Sequence, residues 1–77
     1  MINEADILGA LKDLDCVDTS SLKMDVDFGD QGMDSLDVIQ ITFAIQEAFD
    51  VEISDEEIGD KKWNSVQKIV MQLNNLK

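Results

Sequence analysis

Residues 36–49, LDVIQITFAIQEAF, decide the fold because they fit two periods at once. Ile39, Ile41, Phe43 and Ile45 alternate as a strand requires, whereas Val38, Ile41, Ile45, Ala48 and Phe49 recur at helical spacing. Length separates the two. Fourteen residues free of Gly and Pro exceed the usual strand, and the Asp34-Ser35 pair in front of them is a helix cap. The stretch reads as a long helix that leaves Ile39 and Phe43, four apart, on the flank of the core stripe. Exposed apolar residues beside acids make a docking surface.

The segments on either side read as further helices. Asn3 is a plausible N-cap for a first helix whose stripe is Ile7, Leu8, Leu11 and Leu14, ending near Asp15. From there to Asp34 runs a stretch without helical period that contains DTSS, Gly29 and Gly32; a loop of that length is functional or internally packed. Leu22, Met24, Val26 and Phe28, at every second position, are its expected anchors, since a lone strand there would have no partner. Downstream, Ser54 and Glu57 stand at capping-box spacing and open a short helix from Asp55 to about Gly59. GDKKWN is a turn. Asn64 or Ser65 then caps a last helix with the stripe Val66, Ile69, Val70, Leu73 and Leu76, and Trp63 staples onto its start. The expected fold is all-α, a small four-helix bundle with three longer helices, one short one and a long loop between the first two.

Seventy-seven residues make one domain, near the size at which a hydrophobic core barely outweighs chain entropy. The single cysteine, Cys16, excludes an internal disulfide and a thiolate zinc cluster, and reads as a structural residue near the end of the first helix. No leader or apolar run long enough to span a bilayer is visible, so a soluble cytoplasmic monomer is expected.

The net charge of −11 is concentrated: from Asp25 to Asp60 there are twelve Asp or Glu and no Lys or Arg. Such a field repels nucleic acid and anionic lipid and speeds encounter with basic protein surfaces. In its midst lies GMDSLD, residues 32–37. A nucleophilic serine needs a general base, usually His or Lys, and the chain has no His at all and no Lys between Lys23 and Lys61. Autonomous catalysis by Ser35 is therefore not expected. An EF-hand loop tried on DVDFGDQGMDSL fails, with Asp30 where Gly is required and Leu36 where the bidentate Glu belongs. No specific metal site is expected, only weak binding of divalent cations to the clustered acids.

What is left is a serine acted on by another protein. Ser35 lies at the N-terminus of the long helix, where free backbone N–H groups and the positive dipole end favour a phosphate on its hydroxyl. Leu36 is expected to drop into the core and hold the helix start. Asp34 caps, and the Asp34/Asp37 pair recruits a basic enzyme or its metal.

GMDSLD, the helix LDVIQITFAIQEAFDVEISDEE and the closing VQKIV together resemble the acyl carrier proteins, over about Phe28 to Leu73. The resemblance implies a four-helix bundle that catalyses nothing, with 4′-phosphopantetheine esterified to Ser35, flanked by Asp34 and Leu36. A phosphopantetheinyl transferase with magnesium supplies that group from coenzyme A, and cargo rides as a thioester on its terminal sulfhydryl. The second helix becomes the recognition helix: Asp37, Ile39, Gln40, Phe43, Gln46 and Glu47 would meet loading ligases, transferases and synthases with basic docking surfaces, in fatty-acid, polyketide or related biosynthesis. Leu36, Ile45, Phe49, Ile53, Ile58 and Ile69 would shelter an acyl chain. The chain departs from the housekeeping fatty-acid pattern at Gln31, Gln40 and Ser54, where leucine, an acid and proline are usual, which points to a specialised carrier. KKWNSVQKIV is similar to the last-helix region of D-alanyl carrier proteins, making an aminoacyl carrier the runner-up. An acidic helical adaptor without a prosthetic group is the third reading.

Overall fold

Asn3 and Asp6 open the chain's first helix by capping each other, each side-chain oxygen accepting the other's backbone N–H at 3.0 Å. In the computed structural model, which describes residues 1–15 and 17–76, this helix is α1, Glu4–Leu11. It buries Ile7 and Leu11 completely. The helix stops a turn short of the expected end near Asp15. Its last carbonyls pass into tight turns, Leu14 N–H to Leu11 O at 3.0 Å and Val17 N–H to Leu14 O at 3.3 Å. Continuing the helix would put Asp13 and Asp15 at the negative end of its dipole, with Lys12 the one cation in that turn to set against two acids. Leu14 still packs against the core. The reading of Cys16 lies outside the described residues.

The long loop is packed and contains an unanticipated 3₁₀ turn, Phe28–Gln31. Of its four expected anchors, Leu22 and Phe28 are buried, and Met24 and Val26 are half-buried. Backbone bonds fix it to the far end of the chain: Phe28 N–H donates to Asn64 O at 2.7 Å, and Gln67 N–H to Met24 O at 2.9 Å. Gly32 ends the turn at φ 95°, a left-handed conformation in which a side chain would be strained.

Residues 36–49 are helical, as their length dictated: α2 is Ser35–Phe49. It ends on Asp50 at φ 54°, the left-handed cap position that Asp tolerates better than most residues. Val38, Ile41, Thr42 and Ile45 form its buried face. The Thr42 hydroxyl is satisfied by donating to Ile39 O at 2.8 Å. Ala48, expected on the core stripe, is exposed. Leu36 is also corrected. It is 66% exposed instead of buried. At about 100° per residue it lies opposite Ile45, the centre of the buried face, so no rotation of α2 can bury both.

Ser54 caps α3, Asp55–Gly59, with its hydroxyl accepting Glu57 N–H at 3.2 Å. The reciprocal half of the expected capping box is absent, because the Glu57 carboxylate instead accepts the Trp63 indole N–H at 3.3 Å. That bond satisfies the polar atom of a side chain only 2% exposed. Of the two candidate caps for α4, Val66–Leu76, Ser65 serves: its hydroxyl accepts Lys68 N–H at 3.1 Å. Val66, Ile69 and Leu73 are buried and Val70 half-buried, while Leu76, the last helical residue, is exposed. α1 packs against both α2 and α4. Asn74 ties α4 to the start of the chain, its amide exchanging two hydrogen bonds with the Ile2 backbone at 2.9 and 3.0 Å. Regular structure among the described residues is entirely helical.

Candidate functional site

Ser35 is the first residue of α2 and is exposed. Its position follows from a capping box on either side of it. Asp34 Oδ1 accepts Asp37 N–H at 3.0 Å, and Asp37 Oδ2 accepts Asp34 N–H at 3.2 Å. Both carboxylates are thus committed to backbone N–H groups, which fixes the direction of the helix start and leaves the serine between them pointing outward. The box is a positioning device, and neither carboxylate is arranged as a base for the hydroxyl. The chain has no histidine to serve as that base.

Leu36, Ile39, Gln40, Phe43 and Glu47 follow Ser35 along one side of α2, all exposed. Leu36, Ile39 and Phe43 are 66%, 37% and 61% exposed, three large apolar side chains on one stripe with acids at its borders. Leu36 therefore belongs to the outward face it was not assigned to. Asp37 is half-buried at the edge of this stripe. Gln46 faces elsewhere. Its amide donates to Thr42 O at 3.3 Å and accepts Ile53 N–H at 3.2 Å, so it ties α2 to the segment leading into α3.

The expected interior shelter is differently built. Ile45 and Ile69 are fully buried and packed, Ile53 is nearly so, and Leu36 is outside altogether. Open space lies instead beside Ser35, a cleft of about 240 Å³ bounded by Ser35, Val38 and Ile39 on α2 and by Ile58, Gly59, Lys61 and Asn64 on the α3 side. Only Ile58 of the residues assigned to the shelter lines it. Val38 and Ile39 could have been found from their position directly behind Ser35. Asn64 gave no signal beyond its candidacy as a cap. Lys61, the first cation after Lys23, adopts φ 62° to turn the chain at the cleft's edge.

Among the described residues, no three His, Cys, Asp or Glu side chains converge to hold a metal ion. Asp18, in the loop, has its carboxyl held below the ordinary aspartate value by the Ser20 hydroxyl at 2.6 Å, then by Ser20 N–H at 3.1 Å and by Ser21.

A family model described as a phosphopantetheine attachment site matches residues 5–72. The chain belongs to that family. Curated relatives carry the name acyl carrier protein, among them the following three. One from Trieres chinensis is 40% identical over 55 residues, 70% of this chain and 66% of its own length. One from Buchnera aphidicola subsp. Acyrthosiphon pisum (strain APS) is 50% identical over 50 residues, 62% of this chain and 60% of its own. One from Clostridium acetobutylicum is 40% identical over 55 residues, 70% and 69%. The chain spans less than two thirds of the Trieres and Buchnera proteins. No solved structure matches it. The matched family is defined by attachment of 4′-phosphopantetheine, which makes that the prosthetic group. The site is chemically suited to that group: an exposed hydroxyl on a helix N-terminus, with an apolar cleft beside it.

Proposed function

We propose that Ser35 is the attachment residue and that the chain carries acyl groups as thioesters between enzymes of fatty-acid, polyketide or related biosynthesis. The observation that carries this reading is the exposed Ser35 hydroxyl, aimed outward by the Asp34/Asp37 capping box within the family's matched stretch. In the attachment step a transferase removes the Ser35 proton, the Oγ–phosphorus bond forms, and the phosphoanhydride of coenzyme A breaks with the nucleotide bisphosphate leaving. Magnesium offsets the charge that builds between that anhydride and the acids around Ser35. The prosthetic group supplies the thiol that holds the cargo. The chain's own residues orient the attachment point, present the Leu36, Ile39 and Phe43 stripe to basic partner surfaces, and offer the cleft beside Ser35 to the acyl chain. Asp37, Gln40 and Glu47 border or extend that stripe as partner contacts. The carrier acts as a cytoplasmic monomer; no helix of the described residues is long and apolar enough to cross a membrane.

The test uses acyl-coenzyme A, magnesium and a broad-specificity phosphopantetheinyl transferase, read by intact mass. The expected product gains one acyl-phosphopantetheine and loses only the acyl group to neutral hydroxylamine. A folded protein that gains nothing, or whose acyl group resists hydroxylamine, contradicts the carrier reading and favours the adaptor.

A further inference from the structure

The cleft beside Ser35 has one charged residue on its wall. Val38, Ile39, Ile58 and Gly59 contribute hydrocarbon or bare backbone and Asn64 is neutral, so Lys61 alone is ionised. The chain carries seventeen acids against six cations, yet among the described residues the one ion pair joins Lys68 to Asp27, and Lys61 has no carboxylate partner. The acids that flank Ser35 are occupied, since Asp34 and Asp37 accept each other's backbone N–H. The backbone at Lys61 is fixed from both sides. Its N–H donates to Ile58 O at 3.1 Å, and its carbonyl accepts the Lys68 ammonium at 3.3 Å, the same ammonium that pairs with Asp27 at 3.3 Å. So held, Lys61 takes φ 62°, a left-handed conformation that glycine or asparagine would adopt with less strain. Strained residues persist where the surrounding structure over-determines them, and such positions cluster at functional sites.

We infer that Lys61 is a positioning residue for the prosthetic group: its ammonium pairs with the phosphodiester formed on Ser35 and lays the arm along the cleft. The inference rests on the reading of Ser35 as the attachment residue. The phosphate stands one bond beyond Ser35 Oγ and carries a negative charge, in a field that the surrounding acids make unfavourable to it. Lys61 borders the same cleft, and its charge rides on a flexible four-carbon stem, so it can meet that phosphate without movement of the backbone. No other cation lines the cleft. Ser35 and Lys61 are both exposed, so the pair adds little stability and is screened by salt. Its effect is on where the phosphate points.

The test loads wild type, Lys61→Asn, Lys61→Arg and Lys62→Asn from coenzyme A, each checked by peptide mass for the arm at Ser35. Asparagine keeps the left-handed turn and removes the charge, while Lys62, next in the chain, does not line the cleft. At low salt the phosphorus NMR resonance of the wild-type phosphodiester should differ from that of Lys61→Asn, by an amount that Lys61→Arg restores. Lys62→Asn should leave it at the wild-type position. In sodium chloride at about 1 M, where the screening length falls to about 3 Å, the wild-type and Lys61→Asn resonances should converge. A mere change of shape around the phosphate would survive the salt. In wild type, a readout that needs no variant, the Lys61 ammonium nitrogen resonance should move on loading and that of Lys62 should not. Phosphorus resonances alike in wild type and Lys61→Asn, or a difference that high salt leaves in place, would overturn the inference while leaving the attachment reading intact. Absence of loading at Ser35 in wild type would overturn both.

Discussion

Gln31 clamps Lys23 from eight residues away. Its side-chain oxygen accepts Lys23 N–H at 2.8 Å and its amide donates to Lys23 O at 2.9 Å, with a further bond to Val26 O at 2.8 Å. One side chain thus replaces the partner strand that this stretch of loop lacks. Gln31→Leu removes all three bonds and leaves three backbone groups, Lys23 N–H, Lys23 O and Val26 O, to water. It should destabilise the fold by about 1–2 kcal/mol and raise amide exchange at Lys23, whose N–H the clamp holds, without unfolding the helices. Urea denaturation and hydrogen exchange check this. Unchanged exchange at Lys23 would mean that the clamp does not persist in solution.

Leu36 and Ile45 sit on opposite sides of α2, and their substitutions should separate docking from stability. Ile45→Ala opens a cavity in a fully buried site and should cost about 2–5 kcal/mol. Leu36→Ala should lie within about 0.5 kcal/mol of wild type but weaken transfer to partner enzymes. A large loss of stability in Leu36→Ala, seen by thermal melting, would place that side chain in the core after all.

Asp18 should titrate below the ordinary aspartate range, chiefly because the Ser20 hydroxyl and then its backbone N–H donate to the charged carboxylate. A depressed folded pKa means that the contribution is fully present above the unfolded value and fades as pH falls through the folded one. Ser20→Ala should move the carboxyl inflection upward in an NMR titration. Identical inflections in the two proteins would remove the Ser20 hydroxyl as the cause.

Twelve acids without a cation between Asp25 and Asp60 repel one another in the folded state. The melting temperature should rise with sodium chloride and rise further, at equal ionic strength, with magnesium, since screening and weak counter-ion binding both favour the compact form. A melting temperature flat across both titrations would show that the unfolded chain feels the same repulsion.

Elements governed by local chemistry were legible in the sequence. Caps at Asn3, Asp34 and Ser54 could be read residue by residue, the cap of α4 was narrowed to Asn64 or Ser65, and helix length resolved the ambiguity of residues 36–49. Tertiary competition was not legible. The Glu57 side chain has both Ser54 N–H and the Trp63 indole within its chemistry, and only burial of the indole decides for the latter. The expectation that Leu36 drops into the core fails because the phase set by Ile45 puts it outward. At the candidate site, the serine and its flanking acids stood out through residue type and spacing. Lys61 did not, since the cleft it shares with Ser35 exists only once the chain has turned after α3.

The most direct test of the account is peptide-level mass spectrometry after incubation with coenzyme A, magnesium and the transferase, on wild type, Ser35→Ala and Ser65→Ala. The account predicts one phosphopantetheine on the peptide containing Ser35 in wild type and Ser65→Ala, and none in a folded Ser35→Ala. Modification persisting in Ser35→Ala, or mapping to any other serine in wild type, would contradict it.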